Sequence, residues 1–323
     1  MKAIVQKRYG SSDVLLLSDI DKPTVGDDDV LVRVHAADVQ TADWHIMTGR
    51  PYLIRMMGFG FRAPKARVRG IDVAGRVEAV GKNVTEFSPG DLVFGACNGS
   101  FAEYVCAREN RLAPKPTNLS FEQAATIPVS ATSALQGLRD AGQVQAGQKV
   151  LVIGAAGGVG LFAVQLAKAF GAHVTGVCST ARIELVRSIG ADDVIDYTQD
   201  DFTDGSRRFD LILDTAGNRS LWRLRRALTP KGTLVIVGGE KGGRLLGGIG
   251  RSLLAIMLSP FTSQNLRGLM AVQRKEDLQF LTKLIEAGKV TPVIDRTYSL
   301  SEVPEAIRQL EKGHPNGKIV ITV

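Results

Sequence analysis

Cysteine and histidine are scarce in this 323-residue chain, and their scarcity excludes several chemistries. Three cysteines, Cys97, Cys106 and Cys178, make no CxxC pair and no disulfide framework, which fits a reducing, cytoplasmic setting. Four histidines are present (His35, His45, His173, His314), and none lies near Cys97 or Cys106 in sequence. The three or four ligands of a zinc site are therefore not assembled, and no metal is expected. There is no GxxxxGK followed by Ser or Thr, so a nucleoside triphosphatase loop is absent. No tyrosine is followed four residues on by lysine, which argues against the short-chain dehydrogenases. Long apolar runs are also missing. The longest, residues 245–258, is broken by Arg251 and by glycines; it is too short to insert in a membrane and reads as a buried helix. The start, MKAIVQKRYG, lacks the apolar stretch of a signal peptide.

What is present describes a globular protein with ample core: 44% hydrophobic and 23% charged residues, and a length that suits two domains. The net charge of +7 is spread along the chain, with acidic runs such as Asp27-Asp28-Asp29 between the cations. No basic platform with interleaved aromatics appears, so nucleic acid is not an expected partner and small anionic molecules are.

Residues 1–124 read as β-rich, with short apolar or alternating runs at 30–34, 75–80, 91–94 and 101–105, each bounded by turn residues. This spacing predicts a partly closed antiparallel barrel. Residues 50–69 are rich in Arg, Gly, Met and Phe and have no clear period; they read as a loop with a short helix. From residue 121 the pattern changes to helices alternating with strands: helices at 121–127, 130–138, 182–189 and 219–228, strands at 173–178, 193–196, 210–214 and 233–237. That alternation predicts a doubly wound parallel sheet. A helix pair at 275–288 and 303–313 precedes a closing strand at 318–323.

The most informative stretch is residues 149–171, KVLVIGAAGGVGLFAVQLAKAFG. Val150 to Ile153 suit a strand buried on both faces, Gly154, Gly157, Gly158 and Gly160 make a turn, and a helical period runs on to Gly171. Strand, glycine turn and helix form the first half of a dinucleotide site. The turn lets a pyrophosphate approach closely, and the helix start offers free N–H groups. About twenty residues further on, a site for NAD would carry Asp or Glu for the ribose hydroxyl. This chain reads Cys178-Ser179-Thr180-Ala181-Arg182. Hydroxyls and a guanidinium suit a 2′-phosphate, so the expected cofactor is NADP(H). The competing reading makes Ser179 a helix N-cap and Arg182 a solvated residue.

Taken together, these motifs resemble the medium-chain dehydrogenase/reductase superfamily, and within it the zinc-independent quinone oxidoreductase branch. The likeness spans the chain: MKAIV, VLVRVHA, Gly70-Ile-Asp-Val-Ala-Gly75, GRVEAVGKNVTEFSPGDLVFG, GSFAEYV, GAAGGVG, DTAGN, LTPKGTLVIVGG and GKIVITV. It implies a GroES-like β-barrel domain over 1–124, completed by 267–323, and a Rossmann domain over 125–266. Zinc-dependent relatives carry a ligand Cys and a Gly-His-Glu where this chain has Ala36-Ala37-Asp38-Val39-Gln40 and Gly70-Ile71-Asp72. The resemblance further implies that Ala156, Gly157, Gly158, Val159 and Gly160 hold the pyrophosphate. It puts Ser179, Arg182 and Tyr197 at the adenosine phosphate and adenine, and Thr215, Gly238 and Gly239 along the path to the nicotinamide. Phe261, between Pro260 and Thr262, falls in a segment that meets the carboxamide, and Lys318 is a further cofactor contact. On the substrate side Gln40 stands where relatives have Asn, and Ser133 where they have Thr.

The reaction these residues imply is hydride transfer from NADPH to a quinone or conjugated carbonyl, with Gln40 or Ser133 polarising the carbonyl and a proton from Tyr52, His45 or solvent. Tyr52, Met56, Met57, Phe59 and Phe61 would suit a flat apolar acceptor, or else simply pack on the barrel. Two other functions stay open: a zinc-free NADP-dependent alcohol or aldehyde dehydrogenase, and a low-turnover NADPH-binding sensor or accessory protein. A homodimer is also open.

Overall fold

Extended runs of three to eleven residues separated by glycine, proline and polar turns give fifteen strands in the computed structural model, which describes residues 1–238, 243, 245–313 and 315–323. Gly239 and His314 lie outside the described residues. The strands are β1 (Lys2–Gln6), β2 (Leu15–Asp19), β3 (Asp29–Val39), β4 (Asp72–Val80), β5 (Leu92–Ala96), β6 (Tyr104–Arg108), β7 (Leu112–Pro114), β8 (Lys149–Ile153), β9 (His173–Cys178), β10 (Asp193–Asp196), β11 (Phe209–Asp214), β12 (Leu228–Ile236), β13 (Asn265–Gly268), β14 (Ile294–Ser299) and β15 (Lys318–Thr322). The α-helices are α1 (Thr41–Thr48), α2 (Phe121–Ala125), α3 (Pro128–Leu135), α4 (Gly158–Ala169), α5 (Ile183–Ser188), α6 (Leu221–Arg226), α7 (Ile249–Leu258), α8 (Lys275–Glu286) and α9 (Val303–Glu311).

Two compact units result: Met1–Val129 with Gln273–Ala287 and Pro292–Val323, and Ser130–Val272 with Gly288–Thr291. In the first, a seven-stranded sheet runs β14-β15-β3-β4-β5-β7, with β6 also pairing β3. The pairings are antiparallel except for β14 with β15. The eleven-residue β3 is the hub, pairing β4, β6 and β15. Its Val30, Val32 and Val34 pack with Val73, Val77, Val93 and Val105, while Ala37 and Val39 join Ile319, Ile321, Val303 and Ile307 in a second cluster. A strand with side chains buried at both ends fixes which residues face inward, because a one-residue slip would turn them out.

The second unit holds a six-stranded parallel sheet in the order β10-β9-β8-β11-β12-β13. Its central strands, β8 and β11, lie side by side although β9 and β10 intervene in sequence. Ligands of such sheets bind outside the carboxyl ends of the strands where the order reverses. The central strands are apolar on both faces, Val150 to Val152 and Ile212 to Leu213 having no exposed surface.

Several local expectations are corrected. The helix expected at 130–138 begins at Pro128, which suits a first-turn position, and gives way after Leu135 to a π-helical turn, Gln136–Ala141. The strand placed at 101–105 is β6, three residues later, because Phe101 is drawn wholly into the core beside Ile4. The expected buried helix at 245–258 is α7, and of its residues only Ala255 is buried. Leu253, Leu254, Ile256 and Met257 are exposed, while the helix lies along β13, the last strand of the sheet order. The loop at 50–69 does contain a turn of helix, Arg55–Phe59, of π type.

Candidate functional site

In the second unit β8 ends at Ile153, and the chain turns at Gly154, whose φ of +80° favours glycine. Gly154 and Ala155 donate their N–H groups to the carbonyl of Val177 on β9, at 3.2 and 3.0 Å, and Gly157 donates back to Gly154 at 2.9 Å. A Cβ on Gly160 would meet the Gly154 carbonyl at 2.0 Å, and one on Gly154 would meet the Thr215 hydroxyl at 2.6 Å. The turn is therefore pressed between two strands and the helix that follows. Helix α4 opens behind Gly157 with no side-chain cap and no acidic residue in its first turn. The N–H groups of Gly158, Val159 and Gly160 are thus the open end of a twelve-residue helix, which fits a pyrophosphate.

Thr215 and Gly238 stand at the ends of the neighbouring strands. The Thr215 hydroxyl donates to the Ile153 carbonyl at 2.8 Å, bracing the start of the turn. Val237 donates to the Asp214 carbonyl at 3.0 Å, and a Cβ on Gly238 would come within 3.4 Å of the Thr215 carbonyl. Asp214, buried, caps Ala216 and Gly217 through Oδ1 and pairs with Arg251 of α7 through Oδ2 at 2.8 Å. This pair ties β11 to α7. It was not legible in the sequence, where 37 residues separate its members.

After β9 the chain reaches Ser179, whose hydroxyl makes no cap bond to the turn that follows. The N-cap reading of Ser179 is thus not supported by this geometry. Arg182 is half-buried, and its Nη1 is shielded from solvent with no hydrogen-bond partner. A buried unpartnered guanidinium nitrogen is costly unless an anion meets it, so a 2′-phosphate fits here. Asp196, at the end of the next strand, was not singled out from the sequence. Its Oδ2 accepts from Thr180 (2.5 Å) and Gln199, its Oδ1 from the Thr198 N–H and hydroxyl. Those bonds, Thr180 first, hold its carboxyl below the usual range and engage both oxygens. Tyr197 donates its N–H to the Cys178 carbonyl, and its ring packs against the sheet's core cluster. Phe261 sits in a 3₁₀ turn after α7, 85% exposed. Ser133 lies on α3 and is buried.

In the first unit, β3 and β15 bring Gln40 and Lys318 to one polar cluster. The register pairs Asp38 with Val320 and Val39 with Ile319. Lys318 Nζ lies 2.6 Å from Asp38 Oδ2, both side chains almost wholly buried. Gln40 donates from Nε2 to Asp72 at 3.2 Å, and Val129 donates its N–H to the same oxygen. Gln40 is also the residue before α1, and its N–H donates to Asp43 Oδ2 at 3.1 Å. Lys318, a cofactor contact by resemblance, therefore has its ammonium against Asp38.

Three carboxyls and one ammonium thus share a buried site. Burial pushes Asp38 up to about 7, opposed by Lys318. Burial likewise raises Asp43 to about 7, and it raises Asp72 well above the ordinary range, with Asp38 adding to the effect. The folded protein thus holds protons that the unfolded chain releases near pH ~4, and each such carboxyl removes stability as pH climbs from ~4 to ~7. Replacing Asp43 with Asn keeps an acceptor for the Gln40 N–H and removes one titration. Thermal melting of Asp43→Asn should therefore decline less between pH ~5 and ~7.5 than that of the parent. An identical decline would contradict the assignment.

His45 lies on α1, and Tyr52 in the segment that follows it. Tyr52 is 38% exposed, with the Arg55 guanidinium 4.8 Å over its ring. His45 Nδ1 is 2.8 Å from the Arg50 carbonyl, so it carries the hydrogen. Burial holds this imidazole below its ordinary value, partly offset by that bond. A neutral ring with Nδ1 so engaged presents a lone pair at Nε2, which makes it a poor proton source. Met56, Met57, Phe59 and Phe61 stand exposed rather than packed on the barrel. Among the described residues no three His, Cys, Asp or Glu side chains group as a metal would need, and no helix is long and apolar enough to cross a membrane.

Residues 26–117 match the family model described as alcohol dehydrogenase GroES-like domain, and residues 189–321 match the one described as zinc-binding dehydrogenase. The chain is 34% identical to the NAD(P)H oxidoreductase RTN4IP1, mitochondrial, of Bos taurus, over 100% of its length and 89% of the relative's. It is 35% identical to the NADPH-dependent alkenal/one oxidoreductase, chloroplastic, of Arabidopsis thaliana, covering 99% of this chain and 79% of that one. Among solved structures, the quinone oxidoreductase from Coxiella burnetii superposes with a TM-score of 0.87 at 30% identity, covering 100% and 99% of the two chains.

Proposed function

The chain belongs to the medium-chain dehydrogenase/reductase superfamily and is an oxidoreductase, and from that premise we propose that it uses NADPH to reduce a quinone or an α,β-unsaturated carbonyl without a metal. The cofactor half rests on one observation: the partnerless, shielded Nη1 of Arg182 beside the uncommitted hydroxyl of Ser179. A site for NAD would instead offer a free carboxylate, and Asp196, on the strand paired with β9, has both oxygens engaged. The acceptor half is supported by relatives named quinone oxidoreductase and alkenal/one oxidoreductase.

In this reading the N–H groups of Gly158, Val159 and Gly160, with Ala156 and Gly157, hold the pyrophosphate, and Ser179 and Arg182 hold the 2′-phosphate. Thr215 and Gly238 line the way to the nicotinamide, and Phe261 and Lys318 are further contacts. When bound, the cofactor supplies a hydride. The chain supplies polarity. One N–H of Gln40 is tied to Asp72, which orients the amide and leaves its second N–H for a carbonyl oxygen. The Ser133 hydroxyl can serve the same end, and Tyr52, whose phenol borders solvent, can deliver the proton. Metal independence rests on residue identity: Ala36-Ala37-Asp38-Val39-Gln40 and Gly70-Ile71-Asp72 stand where zinc-dependent relatives carry a ligand Cys and a Gly-His-Glu. Three free cysteines suit a reducing compartment such as the cytoplasm.

The test is the product formed from an enone and NADPH. The saturated ketone, with the C=C bond reduced and the carbonyl kept, is the expected result. Activity confined to an alcohol with NADP⁺ would favour the dehydrogenase reading. Tight NADPH binding with no turnover on quinones, enones or aldehydes would favour a sensor.

A further inference from the structure

Between Asp43 and Asp72 the chain contains no acidic residue, yet it carries Arg50, Arg55, Arg62, Lys65, Arg67 and Arg69. The same segment displays bare apolar side chains: Met56 is 74% and Phe61 71% exposed, with Met57 and Phe59 also open to solvent. Arg50, Arg62, Lys65 and Arg67 of the same segment are exposed as well.

This surface is held in place from below. Tyr9 donates its hydroxyl to the carbonyls of Phe59 and Gly60 at 3.0 and 2.5 Å, and Lys65 donates its N–H to Phe59 at 2.9 Å. Arg55 donates to the Gly49 carbonyl at 2.8 Å and lies over the rings of Tyr9 and Tyr52. Gly58 and Gly60 take φ of +99° and +104°, and Gly58 has open space around it. The backbone is thus fixed by Tyr9 and Arg55, while Met56, Met57 and Phe61 add exposed apolar area that the fold does not use. Singly exposed apolar residues are ordinary; several of them in one short segment whose charges are all of one sign mark an interaction surface.

We propose that residues 50–67 dock this protein on the surface of an anionic lipid bilayer. Methionine and phenylalanine at a turn enter the boundary between headgroups and acyl chains, and arginine and lysine around them meet lipid phosphates. Charge complementarity favours this occupant: cations without a compensating acid within the segment suit a uniformly negative plane. A nucleic acid would satisfy the cations but not flexible Met side chains, which offer no ring for stacking. The attachment lies on the membrane and spans nothing. It goes beyond the reductase reading and does not depend on it.

Flotation of the full-length protein with vesicles tests this. Binding is expected to vesicles of phosphatidylglycerol and phosphatidylcholine, to be absent with phosphatidylcholine alone, and to weaken as salt is raised. The double variant Met56→Ser/Phe61→Ser should bind the mixed vesicles about tenfold more weakly or less, from lost apolar burial. Arg62→Glu/Lys65→Glu should lose at least about tenfold as well, from lost attraction to the anionic surface. Melting temperature and NADPH affinity report that each variant is folded. No binding to the mixed vesicles, or binding unchanged in both folded variants, overturns the proposal. So does stronger binding to RNA that the same variants abolish, which would assign the face to nucleic acid.

Discussion

Gly160→Ala is expected to weaken NADPH binding by about 10- to 100-fold, the cost of roughly 1–3 kcal/mol of overpacking at a site that cannot give way. The new methyl would stand 2.0 Å from the Gly154 carbonyl, and that contact is backbone against backbone. Relief requires moving Gly154, which is pinned by its N–H bond to Val177 and by Thr215 on the other side. The turn would open and α4 would shift away from the phosphates. Gly157→Ala supplies the contrast. Gly157 has φ of −81°, and its added Cβ would meet only the Gly154 carbonyl, at 3.2 Å. That variant should melt near the parent temperature while still binding NADPH less tightly, because its methyl enters the phosphate approach. Fluorescence titration and melting curves of both variants check this. Unchanged NADPH affinity in Gly160→Ala would show that the turn is only a fold element.

Arg182→Ala should weaken NADPH by about 10- to 100-fold, the worth of a charge-assisted hydrogen bond at ~1.5–3 kcal/mol, and leave NADH nearly untouched. The asymmetry is the informative part. A substitution that merely loosened α5 would weaken both cofactors alike, whereas loss of a 2′-phosphate partner weakens one. Arg182→Lys should recover part of the loss, since it restores charge without the planar fork. Binding constants for both nucleotides, measured side by side, decide it. Equal loss for NADPH and NADH would remove Arg182 from the phosphate site.

The glycine turn was legible because its chemistry is local. Strand, turn and helix occupy consecutive residues, and their periods differ enough to be told apart. The parallel sheet followed for the same reason, each strand being a short apolar run between helical ones. Long-range pairing was not legible. Lys318 meets Asp38 only because β15 returns to β3 from the far end of the chain, and nothing near either residue announces the other. Asp196 escaped notice because it belongs to the strand after the one that the spacing rule inspects. The outward face of α7 was misread since apolar content alone does not say how many sides of a helix are covered. The segment at 50–67 posed a related difficulty: its Met and Phe suited a flat acceptor or packing on the barrel, and their exposure speaks against packing.

The most direct test of the account is NADPH consumption at 340 nm by protein freed of metals with a chelator, offered a quinone or an enone and, separately, a saturated aldehyde. The account predicts oxidation with a conjugated acceptor, undiminished by the chelator and slower with NADH in place of NADPH. Turnover that appears only with the saturated aldehyde, or only after zinc is restored, would contradict it.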